Sequence, residues 1–252
     1  MASIVLAISL LRWTTLLPLS FVSSMTGLDL FAALWFLLIF AGYQNLARIA
    51  WIETRSIAGA VQQHRVTWMR NMARRENRIA DANLMTQLGQ GNAFFASTSA
   101  IAIGALSSLL GAGEKMQSML EKLPLVAQTD AVLFDVKLLL LISVFVYAFF
   151  KFAWGFRLVQ YCGIMLGATP EVRPDNEREC LAHADAVSAL VGIAADHANR
   201  GLRSYYFAIA AMTWVFHPSV FVVATTWVLL ILIRRDFFSH SRRVLARHGV
   251  AG

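Results

Sequence analysis

Long apolar runs alternate along this chain with arginine-bearing stretches. Residues 92–113 hold no charge, a run long enough for a helix to cross a hydrocarbon core of ~30 Å. Within it Ala96, Ala100, Gly104, Ser108 and Ala112 recur at every fourth position and line one narrow stripe of that helix. Small residues spaced this way let a second helix approach closely in lipid, where packing rather than hydrophobicity drives association. A span is therefore predicted over 92–112. Another is predicted over 28–47, with Asp29 at its outer end and Tyr43 as an interfacial ring at its inner end. A further span over 131–156 carries Asp135 and Lys137 near its outer end. Its inner half is crowded with aromatic rings from Phe145 to Phe156, a belt through which Lys151 snorkels to the interface.

From 204 to 233 no acidic or basic residue other than His217 interrupts the apolar run. As one helix it would measure ~45 Å at 1.5 Å per residue, well beyond the core. Pro218, near the middle, either kinks a single helix or turns a hairpin of two short spans. Charge favours the hairpin. Residues 48–91 hold seven arginines against three acids, and the end of the chain carries Arg234, Arg235, Arg242, Arg243 and Arg247 against Asp236 alone. Residues 114–130, with two lysines and three acids, are mildly acidic and belong outside. The positive-inside bias puts both basic segments in the cytoplasm, and only a hairpin returns the basic tail at 241–252 to that side.

Between the runs lie two polar segments. Residues 61–87 are predicted as one amphipathic helix, apolar at Trp68, Met69, Met72, Ala73, Ile79 and Ala80. Arg70, Arg74 and Arg78 stack on another side of it, facing anionic headgroups or, in an oligomer, ringing the path of an anion. Glu76 and Asp81 are expected to pair with these arginines, and Gly89 and Gly91 to break or bend the helix. After a turn region punctuated by Pro170 and Pro174, a second cytoplasmic helix is predicted over 177–199, with an apolar face at Leu181, Val187, Leu190, Val191 and Ile193. Cys180 with His183, and Asp196 with His197, are of metal-ligating types. Ordinary polar positions on a solvated helix face explain them better, so neither a metal nor a cofactor is expected. Cys162 and Cys180 fall in a cytoplasmic segment and are not expected to form a disulfide.

The chain is 58% hydrophobic and 15% charged, against roughly 45–50% and 25% in soluble domains. The net charge of +7 does not point to nucleic acid, because the arginines cluster beside apolar runs. Residues 1–24 are apolar except for Arg12 and read as a signal-like segment, a marginal span, or a start misplaced ahead of Met25. The expected fold is all-α, a polytopic helical membrane bundle over residues 25–240 with two long amphipathic cytoplasmic helices.

Several strings resemble the membrane protein family numbered 599 among the domains of unknown function, found in bacteria and plants. They are LDLFAALWFLLIFAGY from Leu28, WMRNMARRENRIAD from Trp68, FFASTS from Phe94, VYAFFKFAWGFRL from Val146, GATPE from Gly167, NRGLRSYYFA from Asn199 and RRDFFS from Arg234. The resemblance covers roughly residues 25–240. It implies a multi-span α-helical membrane protein with no assigned activity, and it transfers no site residue. A bacterial inner membrane, crossed several times with the basic loops cytoplasmic, is the expected location.

Three classes of function compete. An enzyme lacks support, since no G-x-S-x-G, H-E-x-x-H, P-loop or G-x-G-x-x-G string occurs. A small-solute or anion channel or permease draws on the hydroxyls of Ser97, Thr98 and Ser99 beside the small stripe, just above an arginine-rich segment. Asn92, Lys151 and His217, the last inside an apolar run, add polar groups to that path. The alternative is a non-transporting scaffold or accessory subunit. There the stripe is a helix–helix seam, in a homo-oligomer or against a partner protein. The hydroxyls then bond to backbone carbonyls, and the inner helices bind anionic lipid. A continuous polar cavity reaching Ser97–Ser99 would favour transport, and a packed seam the scaffold.

Overall fold

The computed structural model describes residues 25–46, 51, 54–110 and 130–248. The expected segment at 1–24 and most of the expected outer loop lie outside these residues. The elements run α1 Gly27–Leu46, α2 Ile57–Ala73, α3 Ile79–Ser107, α4 Ala131–Gly167, α5 Glu177–Met212, a 3-10 turn Thr213–Val215, α6 Pro218–Phe238 and α7 His240–His248, with no strand among the described residues. Two of these helices, Gly27–Leu46 and Ala131–Gly167, are long and apolar enough to cross a membrane by length and composition.

α4 and α5 are the axis. With 37 residues α4 is ~55 Å long, far beyond the thickness of a hydrocarbon core. Two separate cores hang on the pair. The upper one joins α1, the first half of α4, the last half of α5 and α6 through Phe36, Leu141, Phe207, Trp214 and Phe221. The lower one joins α2, the start of α3 and the remaining halves of α4 and α5 through Met69, Met72, Met85, Leu158, Cys162 and Val187.

The helix expected over 61–87 is two helices. α2 stops at Ala73 and α3 starts at Ile79, whose amide donates to Asn77 Oδ1 at 2.9 Å. Asp81, in the first turn of α3 and wholly buried, accepts from Trp68 Nε1 and Arg75 Nη1, each at 2.7 Å. That carboxylate ties α3 back onto α2. Core contacts and not spacing set this boundary: Met69, Met72 and Ala73 enter the lower core, whereas Ile79 and Ala80, which continue the 3–4 spacing, are exposed. Gly89 and Gly91 both lie inside α3 and neither breaks it; a Cβ at Gly89 would meet Val159 at 3.5 Å, an ordinary van der Waals contact.

The other boundaries shift for the same reason. α4 does not end at Phe156 but carries Leu158, Val159, Cys162 and Leu166 into the lower core. α5 merges the helix expected at 177–199 with the apolar run after it. Of the two alternatives at 204–233 the hairpin forms. Pro218 opens α6, His217 caps it, and Trp214 stacks on Phe221 across the turn at 5.1 Å. Arg203 and Asp236, 2.9 Å apart, join the far ends of the two arms.

Candidate functional site

α3, α4 and α5 come together because small residues leave room between them. A Cβ at Gly155 would lie 3.3 Å from both the Ala194 carbonyl oxygen and Asn92 Oδ1, and one at Gly201 would lie 2.5 Å from the Phe152 ring. Beside these contacts is a cavity of about 310 Å³, to which Arg65, Gln87, Asn92 and Asn199 contribute polar groups and Phe95 and Phe152 apolar walls. This is the lower end of the range for small-molecule pockets, roughly 300–1,000 Å³.

An aromatic layer bounds the cavity on the side of the upper core. Phe95 stacks on Phe152 with centroids 5.1 Å apart, and Tyr205 meets the two rings edge-on at 5.7 and 5.9 Å. The Tyr205 hydroxyl donates to the Phe95 carbonyl at 3.1 Å and lies 3.0 Å from Ser99 Oγ. These bonds hold the layer to the α3 backbone. Ser99 is wholly buried behind it and lines no part of the cavity.

Arg65 is the cation of the site. Its Nη1 donates to the neutral Gln62 Oε1 at 3.2 Å. Burial pushes its pKa below the ordinary guanidinium value, with no acid opposing the shift. Gln62 is itself fixed, donating from Nε2 to the Ser188 carbonyl and hydroxyl at 3.2 and 3.3 Å. A half-desolvated cation whose hydrogen bond among the described residues goes to an amide has spare capacity for an anion.

Close by, α1, α5 and α6 share a second polar cluster. Asp236 accepts from Arg203 Nη2 at 2.9 Å, Tyr43 Oη at 2.8 Å and Arg235 Nε at 2.9 Å. Gln44 donates from Nε2 to the Arg200 carbonyl and to Ser204 Oγ, both at 3.3 Å. This cluster pins the hairpin to α1.

The expected site residues scatter. Asn92 alone among them lines the cavity. Ser97, Ala100, Gly104 and Ser108 are exposed, Ala96 and Thr98 half-buried, and Ser99 buried. A Cβ at Gly104 would meet nothing within 4 Å. Among the described residues the stripe from Ala100 to Ser108 therefore faces away from the other helices, and the buried seam on α3 runs instead through Met85, Gly89, Asn92 and Ser99. The three neighbouring hydroxyls form no cluster, because adjacent residues on a helix diverge by ~100°. Thr98 and Ser99 donate to the carbonyls of Phe94 and Phe95, at 2.9 and 2.8 Å.

The arginine stack fares similarly. Arg70 forks onto Asp185 at 2.7 and 2.9 Å and Arg74 reaches Glu177 at 3.0 Å. Arg78 donates to the Thr169 and Pro170 carbonyls. The helix breaks among them, and these arginines bind α5 and the α4–α5 turn of their own chain. Lys151 lies over the Tyr147 ring, 5.0 Å from its centroid. His217 is the N-cap of α6, its Nδ1 accepting from the Ser219 amide at 3.1 Å. His183 Nε2 contacts the Met165 carbonyl at 2.9 Å, and both cysteines are free and buried.

Sequence reasoning missed Arg65, Asn199 and the Tyr43–Arg203–Asp236 cluster. Asp236, a single acid in a strongly basic segment, was the available signal. A family model described as "Protein of unknown function, DUF599" matches residues 31–241. No curated protein and no solved structure matches the chain.

Proposed function

This chain belongs to the DUF599 family of proteins of unknown function, and we propose that it crosses a bilayer as a helical bundle, with the Arg65–Asn92–Asn199 cavity as the cytoplasmic vestibule of a small-solute or anion permease. The cavity is the observation that carries this reading. It joins one under-compensated guanidinium to three side-chain amides in a space of about 310 Å³. Apolar α1 and the first half of α4 supply the membrane-crossing length, and α2 with the lower core extends beyond the bilayer. The excess of arginine there makes this the cytoplasmic side, in a bacterial inner membrane.

In this reading a solute enters from the arginine side. Its anionic or polar end meets Arg65, and the amides of Gln87, Asn92 and Asn199 replace part of its hydration shell. The Phe95–Phe152–Tyr205 layer is the barrier toward the outer side, so passage requires those rings to part. Flux into liposomes holding the purified chain tests this with a panel of small anions and neutral solutes. The expectation is flux above empty vesicles that falls about tenfold in Asn92→Leu, as loss of a hydrogen-bond partner worth ~1–1.5 kcal/mol implies. Absence of flux across the panel ends the reading.

The outward stripe favours a second reading. Ala100, Gly104 and Ser108 are exposed, and Gly104 has space in front of it for another helix. A scaffold or accessory subunit would use this face for a second copy or a partner protein, with anionic lipid headgroups against the inner helices. Gly104→Leu would then reduce the assembled mass in detergent and leave vesicle flux at background. The same variant would leave a monomeric permease active.

A further inference from the structure

A second, smaller cavity of about 30 Å³ shares Arg65 and Asn199 with the vestibule and is lined also by Ser56, Gln62, Asp196 and Arg203. A single water needs ~10–15 Å³ of such space, so the cavity holds one or two waters or one monatomic ion. A tetrahedral oxyanion, with four oxygens about its centre, exceeds it.

The charge around this void does not balance. Arg203 is 6% exposed and gives Nη2 to Asp236, yet its buried Nε has no hydrogen-bond partner. Arg200, also 6% exposed, stands 2.9 Å from Asp196 without the alignment of a hydrogen bond, and its Nε is likewise unpartnered. Arg65 contributes a third guanidinium bonded to a neutral amide. Against these three cations stand, among the described residues, Asp196 and Asp236, and Asp236 is shared with Arg235. Buried charge is normally paired, and buried N–H donors are normally bonded. Arg65 and Arg203 line the void, and an anion there would give these two guanidiniums a counter-charge and an acceptor.

We propose that this cavity is a binding site for a monatomic anion, a halide such as chloride, held between the guanidiniums of Arg65 and Arg203. Asn199 also lines this space. A halide here neutralises part of the surplus and fastens α2 to the α5–α6 hairpin. The site stands apart from the vestibule's role, since a static halide requires no solute to pass.

Thermal unfolding of the full chain in detergent tests the proposal, with sodium chloride or bromide compared against sodium gluconate at equal ionic strength. Once the site is saturated, the midpoint should rise by about 3–5 °C for each tenfold increase in halide. Arg65→Gln should abolish the halide dependence and still unfold cooperatively, whatever its flux. Asn199→Leu, which fills the void, serves if that variant does not fold. Crystals grown in bromide should show an anomalous peak touching Arg65 and Arg203. Equal midpoints in halide and gluconate for the wild type, or an undiminished halide dependence in the variant, would overturn the site.

Discussion

α5 is held by arginine–carboxylate pairs at both of its ends, and the two sets differ in their exposure to water. At the N-terminal end Arg70 and Arg74 of the α2 region reach Asp185 and Glu177, and all four side chains are between 44% and 53% exposed. At the C-terminal end Arg203 meets Asp236 with side chains 7% and 3% exposed, and Tyr43 completes the carboxylate's shell. In water the attraction is weak and screened, so the first set aligns α2 and α5 at little energetic consequence. In the interior neither charge can be left alone, so the second set fixes how the hairpin sits on α1. The same chemistry serves as a flexible strap at one end and as a clamp at the other.

Breaking the clamp should have the largest effect. Asp236→Leu leaves Arg203 buried beside an apolar side chain, a loss of about 3–5 kcal/mol in unfolding free energy. Arg203→Met added to it should recover most of the loss, because both charges then go together. If single and double variants unfold alike in a denaturant titration, the clamp is not what orders the hairpin. Gly201→Val comes next. Its Cβ would fall 2.5 Å from the Phe152 ring, and forcing that wholly packed side chain aside costs about 1–3 kcal/mol. Because Phe152 walls the vestibule, the same variant should also lower solute flux. Tyr43→Phe is milder and sharpens the comparison. It removes one hydrogen bond to a buried carboxylate that Arg203 still satisfies, worth about 1.5 kcal/mol by the same titration.

How legible each end was in the sequence follows from the same difference. Helical character, the apolar runs and the hairpin at Pro218 were readable, because each rests on local pattern or chain-wide charge asymmetry. The arginines at 70, 74 and 78 form a stack only on a continuous helix, and the helix breaks between Ala73 and Ile79. The break at Asn77 depends on Asp81 reaching Trp68 and Arg75, a contact that periodicity does not encode. Arg65 shows the limit more sharply. In sequence it is one of seven arginines in a basic segment, and nothing local sets it apart. It differs because Gly192 on α5 leaves space for Gln62, which then meets Arg65 in place of an acid. The small-residue stripe on α3 was visible and points outward. The seam that packs inside the chain is offset from it, since Gly89 and Asn92 follow where α4 and α5 lie.

The strap gives the smallest expected effect, and pH separates it from the clamp. The hydrogen bonds from Arg70 hold the Asp185 carboxyl below its ordinary value of 3.8, with their shared Coulomb attraction adding to the shift. A lowered folded-state pKa contributes stability that is complete well above the ordinary value and fades as pH falls through the lower one. Wild type should therefore unfold slightly later than Arg70→Gln at neutral pH, by less than any clamp variant, and the two should converge as acid protonates Asp185. Added salt at neutral pH should narrow the same gap, because both partners are solvated and screened. Salt should leave the loss in Asp236→Leu nearly unchanged, since Arg203 has little contact with solvent. If the gap between wild type and Arg70→Gln instead persisted below the carboxyl range and in high salt, Arg70 would act through its packing on α5 and not through charge. The contrast between strap and clamp would then rest on burial alone.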